Sequence, residues 1–162
     1  MAKAIPDGFH TLTPHIIVPD ATKAIEFYKK AFGAQEMMRH MTPDGSKVMH
    51  AQMEIGNSML MLASEFPPMC LSPKARGGTS VTLHLYVENA DAVFERAVKA
   101  GCTVKMPLAD QFWGDRYGQV EDPFGHQWSL ATHKQDLTKE QIASNAKAFF
   151  ANMAKKGELV NA

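Results

Sequence analysis

The sequence predicts an α+β fold: two tandem β-α-β-β-β modules that curve a mixed sheet around a cavity, with a helix appended at the C-terminus. Two apolar, β-branched runs, Thr13–Val18 and Val81–Val87, each carry a central histidine and each precede a helical pattern. A single offset, 84 − 15 = 69, sets His84 on His15 and also Val87 on Val18, Ala90 on Ala21, Ala100 on Ala31 and Gly125 on Gly56. Self-similarity at one offset through strand, helix and turn is the mark of a duplicated unit. A chain of 162 residues is long enough to bury such a core without metal or disulfide staples. The predicted organisation is an arm over 1–12, a first module over 13–65, a connector over 66–80, a second module over 81–133 and a helical extension over 134–162.

The first strand ends at Pro19, and Asp20 stands where a helix N-cap accepts a backbone hydrogen bond. Ala24, Ile25, Phe27, Tyr28, Ala31 and Phe32 recur at helical spacing, and Gly33 offers the left-handed stop. Gln35–Met41 reads as the second strand, turned by Pro43-Asp44-Gly45, and Lys47–Ile55 as the third. Alternation puts His50, Gln52 and Glu54 on one face of that third strand, the solvent side for His50 and Gln52. Gly56-Asn57 turns into a fourth strand, Met59–Ala63. The proline- and glycine-rich stretch Phe66–Ser80 has no periodicity and joins the units.

In the second unit Asn89 caps a helix with Val93, Phe94, Ala97 and Val98 on its apolar face, stopped by Gly101. Thr103–Pro107, Gln119–Glu121 and Gln127–Thr132 supply the later strands, with Asp110–Gly118 as a connecting loop. In that loop Trp113, Arg116 and Tyr117 form an aromatic, guanidinium, aromatic grouping suited to stacking on a planar ligand and gripping an anion, set against a local Asp115–Arg116 pair. His126 in the following turn is expected to face solvent. Beyond His133, Thr138-Lys139-Glu140-Gln141 has capping-box spacing, Leu137 and Ile142 the spacing of a hydrophobic staple, and Lys155-Lys156-Gly157 the signature of a helix end.

Lysine plus arginine and aspartate plus glutamate balance at 17 each, with no long run of either sign, so nucleic acid and anionic membranes are poor partners. No stretch approaches the roughly 20 apolar residues of a membrane span, and the expected compartment is the cytoplasm. Two cysteines, Cys70 and Cys102, lack metal-type spacing. Eleven methionines, most of them in the first half, suit gap-filling and an adaptable pocket wall. There is no nucleophile elbow, phosphate loop or dinucleotide fingerprint.

The duplicated unit, the histidine in each first strand and the Asp122-Pro123-Phe124-Gly125-His126-Gln127-Trp128 turn together resemble the vicinal oxygen chelate superfamily, which includes glyoxalase I, extradiol dioxygenases, fosfomycin-resistance enzymes and bleomycin-binding proteins. The stretch Asp110–Gly118 running into that turn is most similar to its PhnB-like branch. The resemblance implies a divalent metal held by one residue from the first and one from the last strand of each unit. His15 and His84 match the first-strand positions. The last-strand positions, commonly glutamate, fall on Ser129 and on Leu60 or, with a one-residue shift in the turn, Met61.

Three functions follow from this resemblance. In a glyoxalase-like isomerase or lyase, His15 and His84 anchor a divalent metal and Glu54 serves as base. In a metal-free binding protein of the bleomycin-resistance type, Met61, Ser129, Trp113, Arg116 and Tyr117 contact a small-molecule ligand and no cofactor is present. An extradiol-type dioxygenase needs a carboxylate that the aligned position lacks. The resemblance also implies a homodimer.

Overall fold

The computed structural model describes residues 2–156; the predicted glycine stop at Gly157 lies outside them. The first module runs β1 (His15–Val18), α1 (Ala21–Phe32), β2 (Gln35–Met41), β3 (Val48–Ile55) and β4 (Ser58–Ser64). A connector holding the short helix α2 (Pro73–Arg76) leads to β5 (Thr82–Tyr86), α3 (Ala90–Ala100), β6 (Thr103–Asp110), β7 (Asp115–Glu121) and β8 (Gln127–His133). The extension forms α4 (Lys139–Lys156). Each module carries its own four-stranded mixed sheet, ordered β1-β4-β3-β2 and β5-β8-β7-β6. The first strand of each pairs in parallel with the last, and the other pairs are antiparallel.

The duplication extends to the way each helix is started. Asp20 accepts from Lys23 N at 3.2 Å and Asn89 from Ala92 N at 3.0 Å, as N-caps do. A hydroxyl at the end of each last strand then takes a further free helix donor: Ser64 Oγ accepts from Ala21 N at 3.1 Å, and Thr132 Oγ1 from Ala90 N at 2.8 Å. Helices α1 and α3 cover one face of the sheets and meet each other, with Arg96 Nε donating to Ala31 O at 2.9 Å. Val18, Ile25, Tyr28, Met53, Leu62 and Trp128 are among the fully buried residues of the resulting core.

Asp122, from the Asp-Pro-Phe-Gly turn, joins the modules. Its buried carboxylate accepts from Tyr28 Oη at 2.8 Å, Trp128 Nε1 at 2.9 Å, Phe124 N at 2.9 Å and His126 N at 3.0 Å. Burial first, and the Asp122 charge second, push the Tyr28 phenol well up. His126 departs from expectation. It is 9% exposed rather than solvent-facing, because its Nε2 donates across the module boundary to Ile17 O at 2.9 Å.

The expected loop 110–118 is also shorter than its sequence suggests. Asp110 pairs with Arg116 and Ala109 with Tyr117, so the strands extend and leave Gln111–Gly114 as a tight turn. Gln111 N donates to Asp115 O at 2.8 Å and Gly114 N to Gln111 O at 3.0 Å. At the C-terminus the reciprocal capping box is present: Gln141 N donates to Thr138 Oγ1 at 3.2 Å and Thr138 N to Gln141 Oε1 at 2.8 Å. Helix α4 docks on its own chain, placing Phe149 and Phe150 against Phe112, with Asn145 Nδ2 donating to Phe112 O at 3.3 Å.

Candidate functional site

Helices cover one face of each sheet, and the opposite face is open. Residues directly across from one another in neighbouring strands project to the same side, so the register identifies what each open face presents. In the first sheet His15 lies against Met61, Met61 opposite Gln52, and Gln52 opposite Met38. In the second, His84 lies against Ser129, Ser129 opposite Gln119, and Gln119 opposite Met106. Of the two alignments for the first module's last-strand position, the structure selects Met61 over Leu60. Leu60 faces the core and is 4% exposed.

The two rows share a further feature. Gln52 Nε2 approaches His50 Nε2 at 3.3 Å, and Gln119 Nε2 donates to Tyr117 Oη at 2.6 Å. The pairs match at an offset of 117 − 50 = 67, so each module holds a glutamine amide bonded to a ring two residues earlier. His50 and Gln52 lie on the open face that carries His15. The His15 and His50 rings meet edge to face with centroids 5.6 Å apart. Glu54 shares that face at the strand end, opposite Met59, and its counterpart Glu121 pairs with Lys105 at 3.4 Å.

Both first-strand imidazoles favour the neutral form. Burial lowers His15, with His50 adding to the effect. Burial also lowers His84, and Asp115 pulls it only part of the way back. His84 Nδ1 and Ser129 Oγ share a 2.7 Å hydrogen bond. Around His84 stand Tyr86, edge-on with centroids 4.5 Å apart, and Tyr117, stacked at 5.9 Å. Trp113 continues the wall, 5.5 Å from Tyr117.

Arg116 is placed differently. Strand alternation turns it away from Tyr117 toward the start of α3, where its guanidinium grips Asp91 at 2.7–3.2 Å and reaches Asp110 at 3.4 Å. The local Asp115–Arg116 pair is therefore replaced. Asp115 is 4% exposed and accepts from Tyr86 Oη at 2.9 Å, Trp113 Nε1 at 3.1 Å and His133 Nδ1 at 2.7 Å. Sequence reasoning missed Asp115, Tyr86 and Gln119. Only Gln119 left a readable signal, the match of His50-Ala51-Gln52-Met53-Glu54 to Tyr117-Gly118-Gln119-Val120-Glu121.

Within one chain the two histidines line different pockets. His84 borders an apolar one of about 460 Å³ with Leu12, Leu60, Leu83 and Trp128, and His15 one of about 360 Å³ with Ile17, Arg76 and His126. Among the described residues no group of three or more histidine, cysteine or acidic side chains is arranged to hold a metal ion. None of the described helices is long and apolar enough to cross a membrane.

Comparison with known proteins bears on this geometry. The family described as the Glyoxalase/Bleomycin resistance protein/Dioxygenase superfamily matches residues 8–130. Uncharacterized protein Rv0887c of Mycobacterium tuberculosis is 48% identical over 135 residues, covering 81% of this chain and 79% of that protein. The crystal structure of TioX from Micromonospora sp. ML1 superposes with a TM-score of 0.62 at 26% identity, over 76% of this chain and 98% of TioX. The fosfomycin resistance protein FosX of Listeria monocytogenes, complexed with Mn(II) and sulfate, superposes with a TM-score of 0.57 over 82% of this chain and 95% of FosX. At 19% identity that likeness bears on the fold alone.

Proposed function

The chain belongs to the Glyoxalase/Bleomycin resistance protein/Dioxygenase superfamily, and from the donor groups on its two open sheet faces we propose that it binds an uncharged aromatic small molecule without a metal. One observation carries this reading: where the resemblance implies a last-strand ligand, commonly glutamate, beside each first-strand histidine, His15 lies against the thioether of Met61 and His84 is bonded to the hydroxyl of Ser129. Hard divalent ions favour charged oxygen ligands, and a thioether or a neutral, already bonded hydroxyl is a poor substitute for one. The residues present do not fit such an ion. Glu54 as a base would need a polarising ion that this donor set does not suit, so it has no catalytic role in this reading.

What the faces offer instead suits a neutral ligand. Neutral imidazoles and the amides of Gln52 and Gln119 donate and accept hydrogen bonds, while Trp113 and Tyr117 provide surfaces for stacking. Met61 and Met38 supply adaptable apolar contact. Arg116, already held by Asp91, stays outside the ligand contacts. The binding unit in this reading is a homodimer. β1 and β5 are both edge strands, and each open face is half of a site that a second copy of the chain would close.

A ligand-observed NMR screen of uncharged heteroaromatic fragments, with and without EDTA, tests the proposal. Binding unchanged by EDTA and lost in Tyr117→Ala and His84→Ala supports it. Binding that appears only with added Mn²⁺ or Zn²⁺ overturns it.

A further inference from the structure

From the network around Asp115 we infer that this buried carboxylate is the positioning residue of the second half-site, fixing Tyr86 beside His84 and Trp113 beside Tyr117, and coupling that wall to the docking of α4. The inference deepens the ligand-face reading above and depends on it for the ligand's presence, though not for the coupling itself. The wall side of the network is direct. Tyr86 Oη and Trp113 Nε1 both donate to Asp115 Oδ2, at 2.9 and 3.1 Å, and the two rings flank His84 and Tyr117. A buried carboxylate gives up little of this geometry, because each donor it loses leaves a desolvated charge less compensated.

The helix side starts at the other oxygen. His133 Nδ1 donates to Asp115 Oδ1 at 2.7 Å while its Nε2 donates to Asp136 Oδ1 at 3.0 Å. Holding two carboxylates at once requires both ring nitrogens protonated. The bonds to Asp115 and then Asp136 accordingly raise the His133 pKa. The titratable and charged groups facing the ring are Asp115 from β7, Asp136 from the segment before α4, and Tyr86 from β5 through the shared carboxylate. Asp115 itself is pushed up by burial, but its bonds from His133, Tyr86 and Trp113 outweigh this and hold it below the usual range.

The same segment is seated on the turn that carries Trp113. Gly114 O accepts from Lys134 N at 3.0 Å and Gln135 N at 3.1 Å. Gly114 has φ +101, and a Cβ there would lie 2.5 Å from Gln135 O, so only glycine permits this approach. From that seat α4 sets Phe149 against Phe112, which touches Trp113 at 4.9 Å. Aromatic contacts thus run from α4 through Phe112 and Trp113 to Tyr117 and His84, with Asp115 bonded at the centre.

The test needs no ligand, so its failure would be distinct from failure of the binding reading. Amide hydrogen exchange over 139–156 and acrylamide quenching of Trp113, isolated by difference from Trp113→Phe, are measured in wild type, Asp115→Ala and His133→Gln between about pH 6 and 9. In Asp115→Ala both should loosen, with α4 exchange on the order of tenfold faster, while α1 exchange is unchanged. In His133→Gln only α4 should loosen, and the pH dependence of α4 protection, taken relative to the intrinsic base-catalysed exchange rate at each pH, should vanish. If Asp115→Ala does not fold, His133→Gln decides. Wild-type exchange in α4 with an unaltered pH profile in His133→Gln, or a folded Asp115→Ala with wild-type exchange and quenching, overturns the inference.

Discussion

Replacing Asp122 with alanine probes the joint that sets the two modules, and with them the two half-sites, in place. The carboxylate receives four hydrogen bonds, from Tyr28 Oη, Trp128 Nε1, Phe124 N and His126 N, in a place where water does not reach. A buried donor left without a partner costs about 1–3 kcal/mol. Taking the low end for each, because relaxation and shared strain make such costs less than additive, the loss is about 4 kcal/mol. For a chain of this size that is a fall of about 8–16 °C in Tm. Tyr28→Phe removes one donor and leaves three, so its cost should stay near about 1 kcal/mol. Urea denaturation monitored by far-UV circular dichroism measures both, and the double variant gives their coupling. An Asp122→Ala protein within about 1 kcal/mol of wild type would refute the assignment of Asp122 as the inter-module pin.

Three further outcomes follow from the geometry. Arg116→Ala should leave fragment binding unchanged by NMR and move the urea midpoint little, since it loses only exposed pairings with Asp91 and Asp110; weakened binding would return Arg116 to the site. His133 has a raised folded pKa, so its contribution to stability is complete below about pH 6.5 and fades as pH rises through the folded value. The gap in urea midpoint between wild type and His133→Gln should therefore be widest near about pH 6 and close toward about pH 9, and a gap that grows with pH contradicts the pairing. His15 and His84 act with the opposite sign, but they are present in both proteins and cancel in the difference. Sedimentation equilibrium should give twice the 17.9 kDa chain mass, and a chain that stays monomeric at high concentration rules out the shared site.

The fold was largely legible because the duplication repeats chemistry that needs particular side chains: caps at Asp20 and Asn89, histidines at 15 and 84, and the Asp-Pro-Phe-Gly turn. The site was less legible because one offset does not serve the whole unit. It is 69 at the first strand, 67 at Gln52 and Gln119, and 68 at Met61 and Ser129, because the intervening turns differ in length. A fixed offset of 69 therefore hid the repeated glutamine–ring pair. Asp115 and His126 were opaque for another reason. Their burial depends on partners far away in sequence, Tyr86 and Ile17, that local pattern does not reveal. Arg116 looked like a ligand residue until the strand extended through it, after which alternation sent it to the helix side.

The donor set at His15 and His84 decides whether the protein holds a metal, and calorimetric titration of tag-free protein with Mn²⁺, Zn²⁺ and Ni²⁺ tests it most directly. The predicted result is no stoichiometric uptake and no difference between wild type and His15→Ala or His84→Ala. Uptake of one ion per site in wild type, abolished in either variant, would contradict it.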